Sequence, residues 1–386
     1  MDKFEEQRAS FPVLKKYAYL DAPTTGAIPE YSYKVMNEYL QDRTMNGMDI
    51  EKYIHQWDEV EILRGKLAKM FNAKGPHEFA IGLNSSSMMN ILGNGIDFKE
   101  GDNVITYDTN YTGISYMWLN KKDIGVEVRY AKSIEGVVTP KDLFDLVDDR
   151  TRCIVVAHVD NLTGYCHELK KIGEFCRKRG IYFGVDTTQS AGAMFVDVKD
   201  MKIDFLTAAT YKWMLNIVGV AFMYVNENLL PKLKQSEMGW ANPKDRKIDD
   251  PYSYPVSERA DRFENGGLGF VGIKSLQKVI DNYMSLGGKE IEKRILDLTD
   301  YAYEHLNKIK GVKIFGNYPR ETRCGLICMK IPAKWGITDK SMEENGIQAH
   351  MVSNDFLRIG IHFYNNNEDI DCLCTYLQNL SNIYGV

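Results

Sequence analysis

Seven short apolar runs follow one another between residues 78 and 225, and this succession limits the fold more than any other feature of the chain. They read 78-EFAIGL-83, 103-NVITYD-108, 126-VEVRYA-131, 152-RCIVVAH-158, 181-IYFGVD-186, 204-DFLTAA-209 and 219-GVAFMYV-225. Between two of them, 167-HELKKIGEFCRKRG-180 sets Leu169, Ile172, Phe175 and Cys176 at helical spacing, carries Lys and Arg in its last turn and stops at Gly180. Strands alternating with helices predict an α/β fold whose mostly parallel seven-stranded sheet is wrapped by helices.

Beyond the last run, 239–270 is a long polar stretch rich in Pro and Gly, of a length that in compact proteins is functional or interfacial. A helical run over about 271–309 follows. A compact α+β tail then contains strands at 312-VKIFG-316, 324-CGLICMKI-331 and 355-DFLRIGIHF-363 and a final helix from about 367. The pattern divides the chain into a large α/β domain over 16–265 and a small α+β domain over 285–386, with residues 1–15 expected to pack on the latter.

Composition removes several classes of function. Lys and Arg number 48 against 53 Asp and Glu, a net charge of −5, so a basic nucleic-acid footprint is absent and no nucleic-acid partner is expected. No apolar run approaches the roughly 18 residues that span a bilayer. The start, MDKFEEQRASF, is charged and lacks the apolar core of a secretory signal. Seven scattered cysteines, an odd number, read as thiols in a reducing compartment, so a cytoplasmic location is expected. The seven histidines lack HExxH spacing, and Cys372-x-Cys374 on a helix would point its thiols apart, so no metal site is expected.

Ligands of open α/β sheets bind beyond the carboxyl ends of the strands, so the polar residues just past each run are the candidates for a site. The fifth run ends in Asp186, and Lys212 follows the sixth. A carboxylate and an amine brought into one crevice are the pair that pyridoxal phosphate requires: the amine condenses with the cofactor aldehyde, and the carboxylate keeps the pyridine nitrogen protonated. After the first run, 84-NSSSMMN-90 offers hydroxyls and helix-start N–H groups suited to a phosphate. Tyr111 could stack on a flat ring. Asn161 and Gln189 could each hydrogen-bond a ring oxygen. Gly267-x-Gly269-x-x-Gly272 formally matches a dinucleotide fingerprint, but the charged 257-SERADRFEN-265 before it is not strand-like.

In order along the chain, 19-YLDAPTTGAIP-29, SSSMMN, the Tyr111 segment, HVDNLTG, VDTTQSAG, TYKW, RFENGG and 358-RIGIHFYNNNEDID-371 resemble the class V aminotransferase family of fold-type I pyridoxal-phosphate enzymes, over nearly the whole length. The Tyr111 and TYKW segments look closest to its epimerase-like and C–S-lyase-like members. The resemblance implies that Lys212 binds the cofactor aldehyde, Asp186 the pyridinium, Asn161 and Gln189 the ring hydroxyl, and Ser85 and Ser86 the phosphate, with Tyr111 stacked. It implies that Arg358 clamps the α-carboxylate of an amino-acid substrate, and the pocket for the rest of that substrate is expected to be shaped by Thr24, Thr25, Tyr111 and the 239–270 stretch, with Thr25 in contact with it. A homodimer with shared sites is implied as well.

Three departures stand out. Tyr211 replaces the usual His before the lysine. Ala209 replaces a phosphate-binding Ser, leaving Thr210 or Tyr211 to substitute for it. Gly266-Gly267 replaces a Gly-Thr that reaches the partner's phosphate. Cysteine desulfurases of the family carry a mobile Cys just before the Arg-containing strand, whereas 345-NGIQAHMVSNDFLRIG-360 has none. Cys324 and Cys328 fall in a core pattern. His158 and His362 are expected at strand ends, bordering the pocket at most. The resemblance favours an aminotransferase, with a β-eliminating C–S lyase as the alternative and a catalytically silent ligand-binding relative as the third reading. A silent relative would have no need of Lys212, Asp186 and Arg358 together.

Overall fold

The computed structural model describes residues 3–242, 252 and 255–385. Its large sheet has seven strands: β1 Phe79–Gly82, β2 Asn103–Tyr107, β3 Glu127–Ala131, β4 Thr151–Ala157, β5 Tyr182–Asp186, β6 Phe205–Ala209 and β7 Ala221–Val225. Each end lies within two residues of the sequence expectation. The spatial order is β1-β7-β6-β5-β4-β2-β3. The pairs β2–β3, β2–β4, β4–β5 and β5–β6 are parallel, while β7 runs antiparallel to both β6 and β1. The reversal follows from chain length. A parallel return needs a crossover of a dozen or more residues, usually a helix, and the link over 210–220 is too short for one.

Both faces of the sheet are covered. Val104, Cys153, Val155 and Ala157 pack into one apolar core with α3 Ser85–Gly95 and α4 Thr112–Leu119. Ile105, Tyr107, Ile154 and Val156 point the other way, into the core shared with α1 Glu30–Asn46, α2 Ile50–Met70, α5 Leu169–Arg179 and α6 Phe270–Leu286. In α5 the buried Leu169, Ile172, Gly173 and Cys176 form one stripe, and Gly180 ends the helix in the left-handed region at φ +68°.

The helical run expected over 271–309 is two helices. Gly287, at φ +86°, separates α6 from α7 Gly288–Leu306. The glycine fingerprint lies at the start of α6, after a single turn at Ala260–Phe263 and not after a strand. Gly272 is explained by packing: a Cβ there would come within 2.6 Å of Val220 Cγ2. Part of the 239–270 stretch, namely 243–251, 253 and 254, lies outside the described residues.

A smaller antiparallel sheet contains β8 Lys313–Ile314, β9 Leu326–Lys330, β10 His350–Ser353 and β11 Phe356–Gly360, in the order β10-β11-β9-β8. Its own apolar core includes Leu298, Ile327, Ile359, Ile370 and Leu377, the last two from α8 Asn367–Ile383. Strand β10 lies outside the sequence expectation, because two apolar residues, Met351 and Val352, between a His and a Ser are too short a run to signal a strand alone. The N-terminal residues reach this end of the molecule: Arg8 forms a two-pronged bond with Asp369 at 2.7 and 2.8 Å, and Lys3 Nζ donates to Leu286 O at 2.6 Å. No helix among the described residues is long and apolar enough to cross a membrane.

One buried ion pair ties the edge of the large sheet to the chain just before α6. Arg64 of α2 bonds Glu264 through Nε at 3.0 Å and Nη2 at 2.6 Å, and Glu264 also accepts the Ile81 N–H at 2.9 Å. Removing one partner leaves a buried charge without its counter-ion. Glu264→Ala should therefore lower the unfolding free energy by about 3–5 kcal/mol in urea denaturation; a loss below 1 kcal/mol would show that Glu61 and Asp261, which also face Arg64, suffice.

Candidate active site

The carboxyl ends of β1, β2, β4, β5 and β6 open on one cavity of about 210 Å³. Ser85, Ser86, Tyr111, Asn161, Asp186, Gln189, Tyr211 and Lys212 line it, each delivered by the chain just beyond a strand. Five strand ends thus bring together residues that the sequence holds up to 127 positions apart.

Asp186 is 5 % exposed. Its carboxylate accepts from Thr188 N at 2.9 Å, Thr188 Oγ1 at 3.2 Å and Thr207 Oγ1 at 3.1 Å. Burial pushes its pKa up, and the three donors and the Lys212 charge pull it back. Its pKa is raised on balance, and among the described residues none forms an ion pair with it, so a cation such as a pyridinium brought to this end of the cavity would supply the opposite charge that favours the ionised carboxylate. Thr188 and Thr207 were not singled out from the sequence. A Thr two residues past a strand-end Asp was the available signal.

Lys212 has the opposite problem. Burial first, then the Arg358 charge, push its amine down from 10.5 to about 8, with Asp186 and Asp21 opposing. Its Nζ lies 5.9 Å from the Tyr111 ring centre and 5.8 Å from that of Tyr211. Two glycines let neighbouring backbone close around its loop. A Cβ on Gly26 would fall 2.0 Å from Lys212 O, and one on Gly192 would fall 2.4 Å from Trp213 O. Leu215, at φ +52°, holds a left-handed conformation unfavourable to its branched side chain.

The phosphate end is built on the start of α3. Asn84, not a serine, caps the helix by accepting Ser87 N–H at 2.8 Å, which leaves Ser85 and Ser86 at the cavity. Tyr111 is 49 % exposed, open enough to stack. Its ring and Ser86 Oγ both occupy the space that a Gly113 side chain would need. Asn161 Oδ1 is buried without a hydrogen-bond partner.

Other expected residues sit elsewhere. The Thr210 hydroxyl donates to Val220 O at 2.7 Å and accepts from Asn216 Nδ2 at 3.1 Å, so it braces the link to β7 and does not line the cavity. Tyr211 does line it. Gly266 and Gly267 are not among the lining residues. Thr25 is exposed, with its carbonyl accepting from Tyr19 Oη at 2.8 Å. Its neighbour Thr24 instead meets Arg358, whose Nη2 donates to Thr24 Oγ1 at 2.8 Å while Nη1 reaches Asn161 O at 3.4 Å. Gln189 lines the cavity with its acceptor already used: Oε1 takes the Trp213 indole N–H at 2.8 Å, and Nε2 donates to Pro23 O at 3.2 Å. His158 and His362 are both buried, and burial pushes each down to about 4. Neither lines the cavity. His362 accepts Phe363 N–H on Nδ1, which fixes Nε2 as the donor to Trp213 O at 2.9 Å.

Helix-start donors, a stacking ring, an orphaned amide oxygen, a carboxylate without a counter-ion and a lowered amine make a donor set that fits pyridoxal phosphate. The comparisons agree. The chain belongs to the class-V aminotransferase family, whose model matches residues 18–373, and is a pyridoxal-phosphate enzyme of fold type I. Among curated proteins it is 28% identical to a probable cysteine desulfurase of Methanothermobacter thermautotrophicus, with 98% of each chain covered. It is 25% identical to the uncharacterized aminotransferase YcbU of Bacillus subtilis, with 95% of each covered. Structures of the cystine C–S lyase C-DES, one with glycine covalently linked to the PLP cofactor and one with the product cysteine persulfide, superpose with TM-scores of 0.88 and 0.86 at 20% identity, covering 96% of this chain and 99% of theirs.

The lowered amine gives a test with a defined sign. Burial and Arg358 disfavour the ammonium, so the neutral, reactive amine appears at lower pH than on an exposed lysine. In cofactor-free protein, acylation of Lys212 followed by mass spectrometry should rise through a midpoint near pH 8, against 10.5 if the environment were not felt. Lys212→Ala should abolish the absorbance of the lysine-linked cofactor without changing the far-ultraviolet circular dichroism.

Proposed function

We propose that this enzyme is a lyase that breaks the carbon–sulfur bond of a cysteine-like amino acid without passing sulfur to a cysteine of its own. The observation that carries this is the approach to Arg358. β10 and β11 form a tight hairpin with His350 opposite Arg358, and residues 345–360 contain no cysteine. The nearest thiol in register is Cys328, across from Arg358 on β9, fully buried and pushed far up by burial. Cys324 is likewise buried, its thiol pushed up to about 12. The relatives described as desulfurases and as a C–S lyase support sulfur chemistry, and the hairpin argues for its direct form.

Pyridoxal phosphate, when bound, supplies an electron-accepting ring that acidifies the α-C–H of the amino acid joined to it. The residues that would hold it are Asp186 at the ring nitrogen, Asn161 and the remaining Gln189 N–H at the ring hydroxyl, Tyr111 on the ring face, and Ser85 and Ser86 at the phosphate. Arg358 binds the substrate α-carboxylate in a two-pronged fork, and Thr24 and Asn161 O orient it. Lys212, neutral in a substantial fraction near pH 8, would take the α-proton and, as the ammonium, would be the donor for the departing sulfur. From cysteine and water the balance is pyruvate, ammonia and sulfide, with no net oxidation. Gly266 and Gly267, away from their own chain's cavity, belong in this reading to the site of a second subunit in a homodimer.

A second reading, transamination, is favoured by the family's description and by the aminotransferase relative. Mixing the holoenzyme with L-cysteine and no keto-acid acceptor separates the two. Continuous release of pyruvate and sulfide supports the lyase; a single equivalent of keto acid overturns it. Turnover should survive iodoacetamide, since five of the seven cysteines are buried and the other two lie on α8. Loss of turnover on alkylation would point to a protein persulfide. Arg358→Ala should raise KM for the amino acid at least tenfold while cofactor retention stays unchanged; equal loss of both would remove Arg358 from the substrate site.

A further inference from the structure

Residues 21–26 form a turn clamped between the strand that bears Arg358 and the loop that bears Lys212. At one end Asp21 bridges Gly360, the Gly360 N–H donates to Leu20 O at 2.7 Å, and Pro23 Cδ lies 2.1 Å from where a Gly360 Cβ would stand. At the other end the Gly26 N–H donates to Tyr211 O at 2.8 Å. Inside this turn Thr24 Oγ1 accepts from Arg358, which leaves the hydroxyl's own hydrogen for the Asp21 carboxylate beside it. Arg358, Thr24 and Asp21 thus form a relay that ends in a negative charge.

Asp21 has no use in the fold that accounts for that charge. Its Oδ1 is buried without a hydrogen-bond partner, and among the described residues no cation lies within ion-pair distance of it. Both Arg358 and Lys212 feel its field. His350, across the hairpin from Arg358, is taken up by Asp339, with Nδ1 and Oδ2 3.0 Å apart. Lys212 is the one cation among the residues that line the cavity. The lining thus brings no second cation to a substrate anion; Arg358 stands just outside it, and behind Arg358 lies the Asp21 carboxylate, pushed up by burial and held back by the Thr24 hydroxyl and the Arg358 charge.

We propose that Asp21, acting through Thr24, is the charge-selecting residue of the substrate site: it holds Arg358 for one α-carboxylate and turns away amino acids whose side chain carries a second acid group. This rests on the reading of Arg358 as the α-carboxylate site, and it names the substrate class as amino acids with uncharged side chains, of which cysteine is one. A side-chain carboxylate a few ångströms from Asp21 at the effective dielectric of a partly buried site is disfavoured by about tenfold or more in binding.

The test is a spectral titration of the holoenzyme with L-alanine and L-aspartate, which share the α-carboxylate and carry no sulfur leaving group. Their dissociation constants are thus readable whether the enzyme eliminates or transaminates. The wild type should bind alanine at least tenfold more tightly than aspartate. Asp21→Asn, which preserves the shape of the turn, should shrink that ratio about tenfold with cofactor retention unchanged, and Asp21→Glu should restore it. Thr24→Val should weaken both ligands alike, by loosening Arg358. A ratio unchanged in Asp21→Asn, or one that Asp21→Glu fails to restore, overturns the proposal. Failure of the underlying reading shows separately, as alanine binding that Arg358→Ala leaves intact.

Discussion

The link between β6 and β7 carries Lys212, and four separate parts of the chain close on it, three of them on its backbone. The N-terminal turn reaches it through Gly26, which bonds Tyr211 O. The segment after β5 reaches it through Gly192, which lies against Trp213 O at φ +92°. The end of the small sheet reaches it through His362, whose ring N–H takes the same Trp213 carbonyl. Helix α6 reaches it through Gly272 O, which accepts from Asn216 Nδ2 at 3.1 Å. Contacts this close leave the loop little freedom, and they account for a leucine held at positive φ within it. They also join the two sheets at the point where a small displacement would matter most to the chemistry.

Around that loop, charge is arranged so that no group is comfortable alone. Burial raises Asp186 and lowers Lys212, and each group's field partly relieves the other. Arg358 adds to the pressure on Lys212, and Asp21 relieves it. A site of this kind favours ligands that bring the missing charges: a pyridinium for Asp186, a phosphate for the start of α3, an α-carboxylate for Arg358. The lowered amine follows from the same arrangement and makes Lys212 a base near neutral pH without a dedicated proton acceptor beside it.

Much of this was legible in the residues because strands of a buried sheet must be apolar throughout and ligands must bind where they end. The seven runs, the strand-end Asp186 and Lys212, and the serines that open α3 all follow from patterns a few residues long. What escaped depended on which way a side chain turns. Thr210 and Tyr211 were equal candidates for a cavity donor until the hydroxyl of Thr210 was found to brace the Val220 carbonyl. Thr24 and Thr25 differ by one position, yet only Thr24 meets Arg358, because the turn is pinned by Pro23 against Gly360. The hairpin before Arg358 carried too little apolar signal to be seen as a strand, although its lack of cysteine was plain.

The apolar runs along the chain were enough to indicate the layered α/β fold, and the Asp and Lys at strand ends pointed to the cofactor, while the family came from the resemblance of motifs ordered along nearly the whole chain. The tertiary structure alone decided which hydroxyls and carboxylates share the cavity, how far Lys212 is driven from its ordinary protonation, and that Asp21 ends up behind Arg358. Those properties arise from contacts between segments from tens to more than three hundred residues apart, where burial and field depend on distances that no local pattern records.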